Sequence, residues 1–153
     1  MRILMVCLGN ICRSTMAEYV MRHLVRREGM DGVVVVDSAA TSRYQIGDTP
    51  HPGTRRVLAA HGIPCGEHRA RQMTRRDYDR YDLIVGMDEE NRFDILHIVR
   101  HDREGKVHLL LDWSERPRDI ADPWYTGDFE TTYADVLEGC ETLLAHLRDG
   151  ASG

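Results

Sequence analysis

The chain has 153 residues, 42% of them apolar and 29% charged, with a formal net charge of −5 and a pI near 5.9. Length and balance predict a single globular domain over 1–153 that buries a core without help from disulfides or metal. Neither a basic excess, a run of 18 apolar residues nor a dense cysteine framework is present, which argues against a nucleic-acid partner, a membrane partner and a stapled secreted domain. A reduced, cytoplasmic protein is the expectation. The four cysteines, at 7, 12, 65 and 140, form no Cys-x-x-Cys or Cys/His cluster, so no metal and no cofactor are expected.

The pattern alternates strand and helix. RILMVC (2–7) is a short apolar run suited to a strand buried on both faces; it is too short for a signal-peptide core and leads into Gly-Asn. From Ser14 to Glu28, the apolar residues Met16, Ala17, Val20, Met21, Leu24 and Val25 draw one helical stripe, with Ser14 as the predicted N-cap and Gly29 as the stop. VVVVDS (33–38) reads as a second strand. Residues 39–52, with Gly47, Pro50 and Pro52, read as loop, and 53–62 as a short helix.

Thr74 is placed to cap a helix through Tyr81, with Asp77 three residues on. DLIVGM (82–87) is a third strand, 88–101 a helix that starts acidic at its positive end, and VHLLL (107–111) a fourth strand. Phe129, Tyr133, Val136, Leu137, Cys140, Leu143, Leu144 and Leu147 recur every three or four residues and predict the last helix, with a frayed GASG tail. Repeated β-α units imply an α/β fold, a parallel sheet with helices on both faces, whose ligand sits beyond the carboxyl ends of the strands.

The first strand ends at Cys7, and five residues separate it from Arg13. A stretch Leu8, Gly9, Asn10, Ile11, Cys12 that curls with its N–H groups inward forms a nest for a tetrahedral oxyanion against the next helix's N-terminus. Gly9 supplies positive φ at no steric cost and Asn10 tolerates it better than most residues. Arg13 offers a planar fork for two phosphate oxygens. The Ser14 hydroxyl can donate back to the sulfur. Such surroundings favour a thiolate, and Cys7 is the candidate nucleophile. Neither G-x-x-x-x-G-K-[ST] nor G-x-G-x-x-G occurs here, which weakens a nucleotide-loop reading.

A departing alkoxide or phenoxide needs a general acid. ADPWYTG (121–127) holds Asp122 on a stiff Asp-Pro turn, with Trp124 and Tyr125 able to wall an aromatic leaving group.

VCLGNICRS near the start and Asp-Pro-aromatic-Tyr near 122 together closely resemble the low-molecular-weight protein tyrosine phosphatases. DSAAT (37–41), HGIP (61–64), ARQMT (70–74) and GMDEEN (86–91) are similar to landmarks of that family in the same order, so the likeness covers nearly the whole chain. The resemblance implies a four-stranded parallel sheet and a two-step, metal-free hydrolysis through a phosphocysteine on Cys7. Arg13 and the loop amides hold the equatorial oxygens, Asp122 protonates the leaving oxygen and then activates water, and inorganic phosphate is released. Phosphotyrosine-containing proteins are the implied partners.

By the same resemblance Asn10, Ser14, Ser38 and His68 form the network that holds the loop, Tyr44 stands at the pocket rim, and Cys12 forms a reversible disulfide with the nucleophile under peroxide. Cys65 and Cys140 are ordinary apolar residues. Thr15 stands where many members carry Pro, with a small effect expected, and Trp124-Tyr125 replaces Tyr-Tyr. Two other readings stay open: a thioredoxin-coupled arsenate reductase of the same fold, for which the expected cysteine pair beyond the third strand is missing, and a non-catalytic phosphotyrosine-binding module.

Overall fold

A computed structural model describes the chain from residue 1 to 152, with side chains to residue 150. The elements are β1 (Arg2–Cys7), α1 (Arg13–Arg27), β2 (Val35–Ala40), α2 (Pro52–Ala60), α3 (Asp77–Arg80), β3 (Leu83–Gly86), α4 (Glu89–Val99), β4 (Val107–Leu109), a 3₁₀ turn (Leu110–Trp113), α5 (Pro123–Thr126) and α6 (Phe129–Ser152). All strand pairs are parallel, in the order β2-β1-β3-β4. The winding reverses between β1 and β3, the place in such sheets where ligands collect.

β1 is central and apolar on both faces. Ile3, Met5 and Cys7 join the core formed with α1, α2 and α6, while Leu4 and Val6 join a second core with α3 and α4. The predicted stripe of α6 packs into the first core, with Val136, Cys140 and Leu143 fully buried. Gly139 lets α6 approach the 3₁₀ turn: a Cβ there would lie 2.5 Å from Leu110 Cγ. No helix among the described residues is long and apolar enough to cross a membrane.

Several boundaries differ from the sequence expectation, each for a local reason. Val33 and Val34 both donate to the Met30 carbonyl and complete the turn after Gly29, so β2 starts at Val35 and runs on to Ala40. That turn closes α1 as expected: Gly29 takes φ +71°, its N–H reaches Arg26 and the Met30 N–H reaches Val25. β3 is shortened to Leu83–Gly86.

β4 stops at Leu109 because the Asp112 carboxylate accepts the Leu109 N–H at 2.9 Å and winds Leu110 and Leu111 into the 3₁₀ turn. α2 starts one residue early, on Pro52, with His51 as its cap, and ends at Ala60. The Thr74–Tyr81 segment is helical only over Asp77–Arg80; Thr74 does not cap it, and the Asp77 carboxylate accepts the Thr74 N–H instead. α4 starts after its cap Asp88 and ends before Arg100, at φ +73°. The tail does not fray within the described residues, since α6 runs through Ser152; Gly153 lies outside them.

Candidate active site

Cys7 ends β1, Ala40 ends β2 and Gly86 ends β3, so three strand ends open on one edge of the sheet. Residues 8–12 turn there into α1, which begins at Arg13. The N-cap position is Cys12, without a side-chain cap, so Ser14 is not the cap; it lies inside the first turn. The backbone N–H groups of Asn10 and Ser14 donate to Cys7 Sγ at 3.3 and 3.4 Å, and Ser14 Oγ lies 3.1 Å from it. An ionised sulfur would receive all three as charge-assisted bonds. The sharp turn is made by Asn10 at φ +60°, whereas Gly9 keeps a negative φ. At Gly9 the constraint is space: a Cβ would meet Gln45 Cγ at 3.3 Å.

Asn10 is fully buried and ties the loop to its surroundings. Its Nδ2 donates to Ser14 Oγ at 2.8 Å and Ser38 Oγ at 2.9 Å, and its Oδ1 accepts from His68 Nε2 at 2.7 Å and the Arg71 N–H at 3.3 Å. Thr15 Oγ1 donates to the Asn10 carbonyl at 2.9 Å, a bond that a proline could not make. Thr15 is therefore a further tie on the strained residue, where a small effect was expected. Ser38 in turn donates to Glu18, a buried carboxylate that also meets Arg22 at 2.6 Å. Burial pushes the Glu18 carboxyl up, against the pull of Ser38 and Arg22. Burial, with Arg22 and Arg71 near, holds the His68 imidazole below its ordinary range.

Arg13 is buried, and three partners orient it: Asp88 at 2.6 Å and the Ile120 carbonyl at 2.8 Å from Nη1, and Asp122 at 3.5 Å from Nη2. Burial opposes the guanidinium's charge, but Cys7, Asp88 and Asp122 outweigh it and raise its pKa. Its Nε has no hydrogen-bond partner among the described residues. A buried, charged donor left unpaired is costly, and an oxyanion is the ligand that would satisfy it. Asp88 uses its other oxygen to accept the Asn91 N–H at 2.7 Å, capping α4. One carboxylate thus holds both a helix start and the arginine.

Asp122 caps the one-turn α5: it accepts the Trp124 N–H at 3.0 Å, with Pro123 at the first helical position. The segment leading to it is tied down at both ends. Ile120 N–H bonds the Met87 carbonyl at 2.9 Å, and Arg118 pairs with Asp135 and Glu138 of α6 at 2.8 and 3.1 Å. Cys7, Leu8, Gly9, Ile11, Cys12, Tyr44, Gln45, Asp122, Trp124 and Tyr125 line one cavity of about 170 Å³. Tyr44 and Tyr125 are 79% and 77% exposed and Trp124 55%, an aromatic rim that covers little of itself.

His51 stands behind that rim. It accepts the Gly53 N–H at 2.9 Å, its own N–H bonds the Ile11 carbonyl, and its ring sits stacked on Phe129 and edge-on to Trp124.

The structure brings Cys7, Arg13, Asp122 and the rim aromatics together, and Asn10, Ser14, Ser38 and His68 into one network. Cys12 lines the cavity as a buried free thiol, pushed up to about 12 by burial and by Cys7 and Asp122. Cys140 is in the core and Cys65 near Arg55, neither of them lining the cavity. Asp88, Glu18, His51 and Gln45 escaped the sequence reading. Of these, Asp88 carried a usable signal, an acid directly after a strand at the edge where ligands bind.

A family model described as low molecular weight phosphotyrosine protein phosphatase matches residues 2–152. Among curated proteins, the low molecular weight protein-tyrosine-phosphatase YfkJ of Bacillus subtilis is 39% identical over 148 residues, 95% of each chain. The human low molecular weight phosphotyrosine protein phosphatase is 40% identical over 147 residues, covering 93% of this chain and 92% of its own. The crystal structure of YfkJ superposes with a TM-score of 0.95, covering 98% of this chain and 96% of that one.

Proposed function

The chain belongs to the low molecular weight phosphotyrosine protein phosphatase family, and from that premise we propose that it hydrolyses phosphotyrosine in proteins, and aryl phosphate monoesters generally, with all of 1–153 acting as one catalytic domain. The observation that carries the reading is the convergence on one cavity edge of a sulfur that receives two backbone N–H groups beside the Ser14 hydroxyl, a buried guanidinium whose Nε is unpartnered among the described residues, and a carboxylate on a capped turn.

Cys7 Sγ attacks phosphorus as the thiolate. The P–O bond to the tyrosine breaks while Asp122 gives its proton to the departing phenolic oxygen. Arg13 and the loop N–H groups of 8–12 hold the three equatorial oxygens, matching charge where it develops. Asp122, now ionised, takes a proton from the water that attacks the phosphocysteine. The P–S bond breaks, and inorganic phosphate leaves with the thiolate restored. Asn10, Ser14, Ser38 and His68 act as positioning residues, and Tyr44, Trp124 and Tyr125 receive the aryl ring, which favours an aromatic ester. A cytoplasmic location, and a Cys7–Cys12 disulfide that protects the nucleophile from overoxidation, belong to the same proposal.

The test is turnover of p-nitrophenyl phosphate and of phosphotyrosine, with EDTA present. Wild type turns both over and Cys7→Ser turns over neither. Asp122→Ala loses about a hundredfold or more on phosphotyrosine and far less on an ester whose phenol is very acidic. Equal losses on the two esters remove Asp122 from the acid role.

A further inference from the structure

The chain is acidic overall and contains one lysine, Lys106, yet five arginines fall within 69–80. The structure joins the start of this segment to the mouth of the cavity. The segment 41–48, which carries the rim residues Tyr44 and Gln45, is laced to 69–72: the Gly47 N–H bonds the Ala70 carbonyl at 2.9 Å, the Ala70 N–H bonds Asp48 at 2.8 Å, and Ala40 bridges Gln72. Arg43, beside Tyr44, leans on Gln72 at 3.1 Å, and Arg69 reaches the Gly47 carbonyl at 3.0 Å. Farther along the chain Arg71, Arg75, Arg76 and Arg80 line one surface hollow with Thr74 and Asp77.

These side chains are exposed. Among the described residues, none of Arg43, Arg69, Arg75, Arg76 and Arg80 pairs with a carboxylate. Arg71 is the exception, held on both Nη atoms by the buried Asp77 at 3.1 Å. Besides Asp77, the carboxylates nearest in sequence, Asp48, Glu67, Asp79 and Asp82, number four against five open guanidinium groups. The lining across the cavity includes the aromatics Trp124 and Tyr125 and the acid Asp122.

A tyrosyl phosphate seated on Cys7 delivers its neighbouring residues to this rim. Guanidinium forks recognise carboxylates in pairs of hydrogen bonds, and a surface of unpaired arginines attracts an acidic strand over a Debye length. We infer that the face running from Arg43 and Arg69 to Arg75 and Arg76 selects phosphotyrosines that lie among aspartates and glutamates. The inference rests on the phosphatase reading and names the substrate class of that same site.

The test compares two phosphotyrosyl peptides of equal length, one with Asp and Glu flanking the phosphotyrosine and one with Ser and Gln. At low salt the acidic peptide has a kcat/KM about tenfold higher, the product of several modest exposed charge pairs. The ratio falls toward one as salt is raised to about 0.5 M, where screening is nearly complete. Arg43→Gln/Arg69→Gln lowers the ratio at low salt and leaves p-nitrophenyl phosphate turnover unchanged. Should that pair disturb the rim itself, Arg75→Gln/Arg76→Gln keeps the question open to decision, because neither side chain makes a hydrogen bond among the described residues; it too lowers the ratio. Equal kcat/KM for both peptides, a ratio insensitive to salt, or a ratio kept by both double variants overturns the inference. So does binding of phosphatidylserine vesicles that Arg75→Gln/Arg76→Gln abolishes while the peptides show no preference, which would assign the face to a membrane. Loss of the phosphatase reading shows itself separately, as no turnover of p-nitrophenyl phosphate by wild type.

Discussion

Asn10→Ala isolates what holds the loop in shape. Asn10 sits at φ +60° with no exposed surface and makes four side-chain hydrogen bonds. Ser14 and Ser38 keep other partners, so the loss of Nδ2 costs them about 0.5 kcal/mol each. His68 Nε2 and the Arg71 N–H lose an acceptor in a half-buried place, about 1 kcal/mol each. Alanine at positive φ adds about 1–2 kcal/mol that asparagine largely avoids. The total is about 4–5 kcal/mol for Asn10→Ala and about 3 kcal/mol for Asn10→Gly, which escapes the backbone cost. Against a typical stability of about 5–15 kcal/mol, both variants still fold. Urea denaturation followed by intrinsic fluorescence reads both values, and kcat/KM on p-nitrophenyl phosphate falls in both, because the N–H of residue 10 no longer has a fixed aim at Cys7. An Asn10→Gly variant as stable and active as wild type would refute the reasoning, since it would leave backbone freedom as the whole contribution of this residue.

Three further outcomes are expected. Gly139→Ala should gain about 1 kcal/mol from helix propensity in an open helix, but here the Cβ lands 2.5 Å from Leu110 Cγ, and overpacking of about 1–3 kcal/mol reverses the sign; a rise in Tm would contradict the packing. Burial depresses the His68 imidazole, so the folded state binds that proton less tightly than the unfolded chain. Stability from this group is complete above the ordinary value of 6.5 and is lost as pH falls from there through the folded value, so the gap in denaturation midpoint between wild type and His68→Asn narrows on acidification; a constant gap rejects the assignment. After brief peroxide treatment, Cys12→Ser recovers less activity with dithiothreitol than wild type does, because the Cys7 sulfenic acid has lost the thiol with which it condenses, releasing water; equal recovery removes Cys12 from that role.

Much of this architecture was legible from residue patterns because the relevant forces are periodic or local. The apolar run of β1 and the stripe of α6 each have one good burial solution, and the Cys7-to-Arg13 loop concentrates residue types whose backbone and charge preferences agree. Element ends were less legible, because single side chains decide them: Asp112 intercepts the Leu109 N–H and ends β4, and Met30 gathers two valines that would otherwise extend β2. The missed site residues share a cause. Asp88, Glu18 and His51 act across 75, 20 and 40 positions of sequence respectively, on Arg13, Ser38 and Ile11, and no local pattern marks such a partnership. Thr15 was visible but misjudged, since its bond exists only once Asn10 has turned left-handed.

Arg13 lies between two aspartates and close to the Cys7 sulfur, so carboxylates outnumber guanidinium groups at the cavity floor. A doubly charged phosphate ester would enter against that imbalance. On the proposed mechanism occupancy carries a proton in with it, and the side chain facing the ester's bridging oxygen is where it is needed. Loading the guest and arming the acid become a single event: calorimetry of phosphate binding in buffers of unlike ionisation heat would register proton uptake in the very step that fills the pocket.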